Sequence, residues 1–253
     1  MKKKPFVVYT FISDDYYDGV GTPQFVNSFK KFHPDIPLVV FRQDVVNQII
    51  DGHDVNWLNA KPMFAKLLTD KYECVINMDA DQIILGRLDE VFTKDYDIGS
   101  VMNMNDYENR HIEGVTDEMY LQAGLVASRI PEFWDIWMQR SIKDAWQYQC
   151  AENDTLNMVV YEHPEWKLKI FDKEKDYYGC KSLGREKEFE MSSFAGDPKV
   201  LCRGEEVKAY HAAKGPRNMP KLTPQKLMSY GFNDRVTGYA VFCGNFGTSV
   251  VYE

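Results

Sequence analysis

Apolar runs of strand length alternate with helical patterns along this chain, and that order limits the folds open to it. Two of the runs, PFVVYTFI at 5–12 and IPLVVF at 36–41, have the composition of buried strands. Between them, apolar residues recur every three or four positions, which predicts a helix from Thr22 to His33. Strand, helix and strand in succession indicate an α/β sheet with helices on both faces.

The alternation continues beyond this first unit. Further strands are predicted at 74–78, 98–102 and 123–128, helices at 62–68, from Pro131 and from Asp154, and two short strands within 238–253. Residues 172–190 are rich in charge and lack periodicity, which predicts a solvated loop, with a lid or an acceptor-binding loop as the alternative. At 253 residues the chain is long enough to bury one large core, so we expect one domain.

Composition excludes several classes of function. The net charge of −8 repels the phosphate backbone of nucleic acids. No apolar stretch reaches the roughly 18 residues of a membrane helix. The N-terminal lysines run directly into a strand, so we expect neither an integral membrane segment nor a signal peptide. The five cysteines are odd in number and widely scattered, which favours the reducing cytoplasm over a zinc site or a disulfide framework.

The predicted strand at 74–78 is followed by two aspartates, Asp79 and Asp81, in the segment VINMDADQIIL. Two like charges at the end of a buried strand are costly unless a cation or several hydrogen-bond donors face them. Carboxylates suit Mg²⁺ and Mn²⁺, and open α/β sheets bind their ligands at such strand ends. A metal that holds a diphosphate is therefore one interpretation, and a structural cap is the other. A second triplet, from Asp95 to Asp97, lies in a polar stretch and is predicted to be a solvated turn.

The segment VINMDADQII resembles the Asp-x-Asp segment of glycosyltransferases with the GT-A fold, most closely those of family 8 and their galactosyl- and glucosyltransferase relatives. In that family the aspartates hold Mn²⁺ against the diphosphate of a UDP-sugar. Four other segments are similar to the family in the same order: TFISDDYY with SFKKFHPDIPLVV, YLQAGLVAS, AENDTLN and VKAYHAAKGPRN. Together these segments span residues 6–218.

This resemblance implies a Rossmann-like α/β fold of the GT-A type, in which helices flank a mixed central sheet. It implies a single domain over residues 1–253. Within that domain, the nucleotide-binding part occupies about 1–105, and the part that meets the sugar and the acceptor occupies about 106–253.

The resemblance also implies contacts with the donor. The opening segment places Asp14 and Tyr17 against the uracil and the ribose. The other implied donor contacts near the sheet are Thr10, Phe11, Ser13, Asp79, Ala80 and Asp81. In the family, the helix before the aspartates carries an arginine that reaches the donor. Here Lys61 lies at nearly the same distance from the aspartates and is favoured over Lys66, for which a surface position is the alternative.

Two segments imply the sugar pocket. YLQAGLVAS (120–128) places Gln122 where the family usually has asparagine. AENDTLN (151–157) is similar to a segment that lines the sugar pocket, so the remaining candidate catalytic residues are Glu152, Asn153 and Asp154. Which side chain lies nearest to the reacting carbon stays open among Gln122, Glu152 and Asn153.

The segment VKAYHAAKGPRN (207–218) implies the rest of the metal and phosphate site. His211 would be the third metal ligand beside the two aspartates, and Lys214, Gly215 and Arg217 would meet the diphosphate. The segment departs from the family because its glycine is displaced by one position, and Lys214 and Arg217 occupy the places of the expected glycine and lysine. The sequence leaves open which of these two cations contacts the diphosphate.

Together, these residues imply a metal-dependent transferase that moves a hexose from a UDP-sugar to a glycan, lipid or protein acceptor, with retention of configuration. The implied cofactor is Mn²⁺ or Mg²⁺. The C-terminal hairpin is expected either to cover the sheet or to form a contact in a homo-oligomer. Two alternatives stay open. The Gly-rich GVGTP at 19–23 suggests a sugar-nucleotide pyrophosphorylase, and the altered Lys-Gly-Pro-Arg turn suggests a nucleotide-sugar binding protein without activity.

Overall fold

The computed structural model describes residues 2–12, 21–53, 55, 57–102, 112–116, 119–144, 151–171, 180–181, 189–194, 197–202, 204–211, 239–242 and 248–252. The first seven strands are β1 (Lys4–Phe11), β2 (Leu38–Phe41), β3 (Tyr72–Met78), β4 (Gln82–Ile84), β5 (Ile98–Met102), β6 (Leu121–Ser128) and β7 (Leu168–Ile170). The helices are α1 (Gly21–Phe32), α2 (Gln43–Ile50), α3 (Lys61–Lys66), α4 (Pro131–Asp144) and α5 (Ala151–Glu162), with a short 3₁₀ helix at Trp57–Ala60. The later strands are β8 (Cys180–Lys181), β9 (Phe189–Phe194), β10 (Asp197–Cys202), β11 (Glu205–Glu206), β12 (Ala209–His211), β13 (Tyr239–Phe242) and β14 (Thr248–Tyr252).

Eight of the strands in the described part of the chain form the central sheet, in the order β13-β14-β2-β1-β3-β6-β5-β7. The neighbours β2, β1 and β3 are parallel, whereas β6 is antiparallel to both β3 and β5. The sheet is therefore mixed, as predicted. The C-terminal hairpin of β13 and β14 extends the sheet beyond β2, so within this chain it lengthens an edge and does not cover a face.

Two apolar layers enclose the central sheet. Successive side chains of a strand point to opposite faces, and on β1 Tyr9 belongs to the layer that contains Phe64, whereas Val8 belongs to the layer that contains Phe25 and Phe29. Because residues 7–11 of β1 are buried on both sides, the sequence there is apolar apart from Thr10 and does not alternate. The prediction of helices on both faces is confirmed.

Local sequence explains where several helices begin and end. Helix α1 places Phe25 and Phe29 one turn apart in the core and ends just before His33 and Pro34. Helix α4 begins at Pro131, where a missing N–H costs no helical hydrogen bond. Helix α5 begins at Ala151, three residues before the predicted start, and carries Glu152 and Asp154 in its first turn. Carboxylates are stabilised at a helix N-terminus, which favours this earlier start.

The prediction of an uninterrupted loop at 172–190 is wrong in part. Strand β8 lies inside that segment and pairs with β12, while β9 begins at Phe189. Strands β4, β12 and β8 form one small sheet, and β9, β10 and β11 form another. A strand of two residues has no periodicity of its own, and the partner of β8 is distant in the sequence, so local pattern carries no signal for it. Helix α2 was also not predicted.

No helix within the ranges that the structure describes is both long and apolar enough to cross a lipid bilayer.

Candidate metal and donor site

The two aspartates lie where the core strand β3 leaves the sheet. Asp79 directly follows β3, and Asp81 directly precedes β4, so the pair occupies the short turn between two strands. The turn is held by backbone hydrogen bonds from Asp79 N to Gly124 O at 2.9 Å and from Gln82 N to Asp79 O at 3.2 Å. The side chains of Asp79 and Asp81 are 23% and 22% exposed, whereas Ala80 between them is buried. Both carboxylates are therefore fixed at the carboxyl edge of the parallel strands while still reached by solvent.

Strand β12 brings His211 to the same edge. It pairs antiparallel with β4, and His211 is the register partner of Gln82, the residue after Asp81. The Nε2 atom of His211 lies 2.9 Å from Asp81 Oδ1 and 3.7 Å from Asp79 Oδ2. The fold therefore brings His211 next to two aspartates that lie at least 130 positions earlier in the sequence.

The three side chains form a donor set that suits a divalent ion. One ligand atom from each of Asp79, Asp81 and His211 lies within 4.8 Å of the other two. Two carboxylate oxygens and one imidazole nitrogen are ligands that Mn²⁺ accepts, and further positions stay open for substrate oxygens. The residues present thus fit the metal that the family resemblance implies.

A buried lysine faces this cluster from the start of α3. The Nζ atom of Lys61 lies 2.9 Å from Asp79 Oδ1, and it donates to the carbonyl of Ala123 at 3.2 Å. It is also 3.9 Å from Glu152 Oε1. Burial alone would lower the pKa of Lys61, but the charges of Asp79 and Glu152 more than offset it and raise the pKa above its ordinary value. The ammonium is therefore a permanent positive charge inside the site.

The other lysine of α3 lies elsewhere. Lys66 forms an ion pair with Asp135 at 2.7 Å, and both side chains are exposed. Lys66 therefore has the surface position that the sequence analysis gave as the alternative to a contact with the donor. Behind Lys61, the hydroxyl of Tyr9 donates to the Lys61 carbonyl at 2.6 Å. Burial and the charge of Asp79 raise the pKa of Tyr9 well above its usual range, so this donor stays protonated.

Strand β6 carries a bulge beside the metal ligands. Its pairing with β5 shifts register between Ser100 and Val101, which leaves backbone groups of Ala123 and Gly124 outside the ladder. Side chains satisfy them: Asn77 donates to the Ala123 carbonyl at 3.1 Å, and Gln82 donates to the Gly124 carbonyl at 2.6 Å. Sequence reasoning missed Asn77 and Gln82. The only sign of them in the sequence is an amide side chain close to each aspartate, Asn77 before Asp79 and Gln82 after Asp81.

The first turn of α5 is fastened to β6. Asn153 Oδ1 accepts a hydrogen bond from Ala123 N at 2.7 Å, and Asp154 Oδ1 accepts one from the Tyr120 hydroxyl at 2.5 Å. Glu152 remains partly exposed beside Lys61. Gln122 is buried, with its Oε1 atom 3.3 Å from His211 Nδ1. Of the four candidate catalytic residues, Gln122 contacts His211 and Glu152 faces Lys61, whereas Asn153 and Asp154 bond to residues in and just before β6. Glu152 is the one that presents a partly exposed carboxylate.

The remaining predicted residues have different placements. Thr10 and Phe11 end β1, where Thr10 is buried and Phe11 stacks on Phe64 with ring centroids 4.7 Å apart. Six predicted contacts lie outside the residues that the structure describes: Ser13, Asp14, Tyr17, Lys214, Gly215 and Arg217. The second aspartate triplet is structural, since Asp95 pairs with Lys169 at 3.0 Å and a carboxylate oxygen of Asp97 accepts the Lys167 N–H at 2.9 Å.

No protein-family model matches the chain, and no curated protein matches it in sequence. Solved structures do resemble it. An active-site mutant of LgtC superimposes with a TM-score of 0.59 at 12% identity, over 89% of this chain and 95% of that one. The galactosyltransferase LgtC in complex with donor and acceptor sugar analogues gives a TM-score of 0.55 at 14% identity, over 91% and 96%. The glycosyltransferase GlyE of Streptococcus pneumoniae TIGR4 gives 0.57 at 14% identity, over 92% of this chain and 61% of GlyE.

Each of these superpositions covers about nine tenths of the chain. The chain therefore has the GT-A fold of these glycosyltransferases, which confirms the fold predicted from the sequence.

Proposed function

We propose that the chain is a metal-dependent glycosyltransferase that moves a hexose from a UDP-sugar to a glycan, lipid or protein acceptor. The observation that carries the proposal is the convergence of Asp79, Asp81 and His211 at the carboxyl edge of a GT-A sheet. The galactosyltransferase LgtC, which shares this fold and was solved with donor and acceptor sugar analogues, supports the same class of reaction.

The residues at the sheet edge act on the leaving nucleotide. Asp79, Asp81 and His211 would hold Mn²⁺ or Mg²⁺. A divalent ion supplies positive charge that stabilises a departing diphosphate. Lys61 balances the Asp79 carboxylate from inside the protein, so it keeps one metal ligand in place before substrate arrives. Either Lys214 or Arg217 would add a second cation on the diphosphate.

The start of α5 acts on the sugar. As the bond to the leaving group breaks, the sugar gains positive charge, and a nearby carboxylate stabilises it. We assign this task to Glu152, because Asn153 and Asp154 already bond to Ala123 and Tyr120. The side chain of Glu152 is partly exposed and is oriented by Lys61 at 3.9 Å.

The proposal also includes the finer features that the family resemblance implies. Asp14 and Tyr17 would contact the nucleoside, with a nucleotide-binding part at about 1–105 and the sugar and acceptor part after it. Retention of configuration belongs to the proposal as well. So does a cytoplasmic place of action, which the odd number and wide spacing of the five cysteines favour.

Slow hydrolysis of the donor tests the proposal without knowledge of the acceptor. UDP-glucose and UDP-galactose are incubated with the chain and Mn²⁺, and the released hexose is followed by proton NMR, which also reports its first anomer. We expect release of hexose with the α configuration of the donor. Asp81→Asn should lower the rate about 100-fold or more, the order found when one electrostatic stabiliser is removed.

Asp95→Asn is the matched control, because Asp95 belongs to the other aspartate triplet and pairs with Lys169 at the surface. It should hydrolyse the donor at the parental rate. Consumption of UDP-sugar only when pyrophosphate is added would indicate a pyrophosphorylase. Binding of UDP-sugar with no release of hexose would indicate a binding protein without activity.

A further inference from the structure

Gln122 is buried against the metal-ligating histidine. Its residue is 1% exposed, and its Oε1 atom lies 3.3 Å from His211 Nδ1. The backbone beside it is held as well, because the Ser100 hydroxyl donates to the Gln122 carbonyl at 3.0 Å. Within the described part of the chain, the Nε2 atom of Gln122 has no hydrogen-bond partner.

A glycine makes room for this contact. A Cβ atom on Gly124 would lie 2.7 Å from His211 Cε1, 2.9 Å from His211 Nδ1 and 2.9 Å from Gln122 Oε1. The backbone of β6 therefore packs directly against the imidazole ring and the amide, and no larger residue fits without moving them. Gln122 and Gly124 together form a seat for the ring, which we call the imidazole seat.

The seat decides which ring nitrogen is offered to a metal. The Nε2 atom of His211 is the one that faces Asp79 and Asp81. An imidazole that binds an ion through one nitrogen carries its proton on the other, and that N–H needs an acceptor. The side-chain oxygen of a glutamine can only accept, so the Gln122 oxygen opposite Nδ1 favours the form of the ring with a proton on Nδ1. Without an ion, the Asp81 carboxylate at 2.9 Å favours a proton on Nε2 in the same way, so the seat takes effect when an ion displaces that proton.

We infer that Gln122 is a positioning residue that keeps the proton of His211 on Nδ1 and so presents Nε2 to the cation. The inference rests on the proposed function only in that it requires a divalent ion at the site. It differs from the role that the family resemblance implies for this position, a contact near the reacting carbon.

The test measures Mn²⁺ affinity by electron paramagnetic resonance, with no donor present. Gln122→Met keeps the length of the side chain but removes the acceptor, and Mn²⁺ affinity should fall 10- to 100-fold, about the loss typical of removing such a partner. Gln122→Glu restores an acceptor and should keep most of the affinity. In a His211→Ala background, Gln122→Met should change the affinity by no more than about twofold, because there is no ring left to orient.

Unchanged Mn²⁺ affinity in Gln122→Met would overturn the inference, and so would an equal loss in the His211→Ala background. Absence of Mn²⁺ binding by the parent chain would overturn the proposed metal site itself. Failure of the metal site is thus distinguished from failure of the role assigned to Gln122, in which the parent still binds Mn²⁺. A measurement on the unmutated chain avoids any loss of folding. In long-range ¹H–¹⁵N NMR spectra with bound Zn²⁺, we expect His211 to be protonated at Nδ1, and a ring protonated at Nε2 would overturn the inference.

Discussion

Lys61 is the residue on which the internal charge balance of the site depends. Its ammonium is buried, contacts Asp79 at 2.9 Å and lies 3.9 Å from Glu152. Without a metal, the carboxylates of the site would repel one another if this charge were absent. A divalent ion brings positive charge to the same carboxylates from the solvent side. Lys61 therefore stabilises the metal-free site and, by repulsion, moderates its affinity for the ion.

Replacement of Lys61 by methionine should separate these two effects. We expect the free energy of unfolding of metal-free Lys61→Met to fall by about 3 kcal/mol, the lower end for a broken buried ion pair because Asp79 is partly solvated. Saturating Mn²⁺ should then raise the melting temperature of Lys61→Met by more than it raises that of the parent chain. Urea denaturation and thermal melts, each with and without Mn²⁺, measure both quantities.

Lys66→Met is the matched control, since Lys66 lies on the same helix in an exposed ion pair with Asp135. It should change the free energy of unfolding by less than about 1 kcal/mol and leave the response to Mn²⁺ unchanged. Equal stability of Lys61→Met and the parent without metal would contradict the charge balance described here.

His33 should make the stability of the fold depend on pH. Its Nε2 atom accepts the Leu88 N–H at 3.0 Å, and its ring packs on Phe29 and Phe92. Burial, helped by the nearby Arg87, lowers the pKa of His33 to about 4. Between pH 4 and the ordinary value near 6.5, the unfolded chain binds a proton that the folded chain does not. The contribution of neutral His33 to the free energy of unfolding is therefore fully present above pH 6.5, and it is lost as the pH falls towards 4.

The corresponding variant is His33→Gln, which offers an oxygen to Leu88 but has no ring nitrogen to titrate. The free energy of unfolding is measured by urea at pH 7 and at pH 4.5. The parent should lose about 2 kcal/mol more than His33→Gln between these two pH values. Parallel losses in both chains would show that other groups account for the pH dependence.

At the scale of elements, the sequence predicts well what is local. The apolar run before Asp79 indicates a buried strand, and Pro131 marks the start of α4, because strand burial and helix starts depend on neighbouring residues. Which of Lys61 and Lys66 faces the aspartates does not depend on local sequence alone. Five residues turn an α-helix by about 140°, so the two side chains leave α3 in different directions. Only the packing of α3 against the sheet decides which of them faces the aspartates.

The partners of His211 show where sequence reasoning ends. The family resemblance suggested His211 as a ligand, but its delivery depends on the pairing of β12 with β4 and β8. Each of these strands has two or three residues, so none has a periodic pattern. The contact with Gln122 likewise depends on the bulge of β6, since register shifts arise from long-range pairing.

Besides Asn153 and Asp154, one buried asparagine attaches α5 to β6. Asn157 accepts the Leu121 N–H at 2.7 Å and donates to the Leu121 carbonyl at 2.9 Å and the Asn153 carbonyl at 2.8 Å. Asn157→Ala would leave both backbone groups of Leu121 buried without their partner. We expect a loss of about 2–4 kcal/mol in the free energy of unfolding, measured by urea denaturation.

The matched control is Asn47→Ala, because Asn47 is an exposed helical asparagine that only accepts a hydrogen bond from Gln43. Its effect should stay within about 0.5 kcal/mol. A loss for Asn157→Ala as small as this would mean that other contacts hold the helix that carries Glu152.

At the scale of the whole molecule, the ion and the nucleotide should bind interdependently. The chain has a net charge of −8, and the described part of the site sets Asp79, Asp81 and Glu152 against the single ammonium of Lys61. This excess of negative charge repels a diphosphate unless a cation lies between them. Coupling between two ligands is commonly 5- to 150-fold and is reciprocal. We therefore expect Mn²⁺ to tighten UDP binding by about 10-fold or more, and UDP to tighten Mn²⁺ binding by the same factor.

Isothermal titration calorimetry measures all four affinities of this cycle. Uridine is the matched ligand, because it keeps the nucleoside but has no diphosphate, and its affinity should not respond to Mn²⁺. Asp81→Asn should reduce the coupling of Mn²⁺ with UDP, since it removes one of the ligands within 4.8 Å of each other. Asp95→Asn should preserve the coupling, because Asp95 is held by Lys169 outside the site. UDP that binds equally well with and without Mn²⁺ would show that the carboxylates at the end of β3 do not meet the nucleotide through a metal.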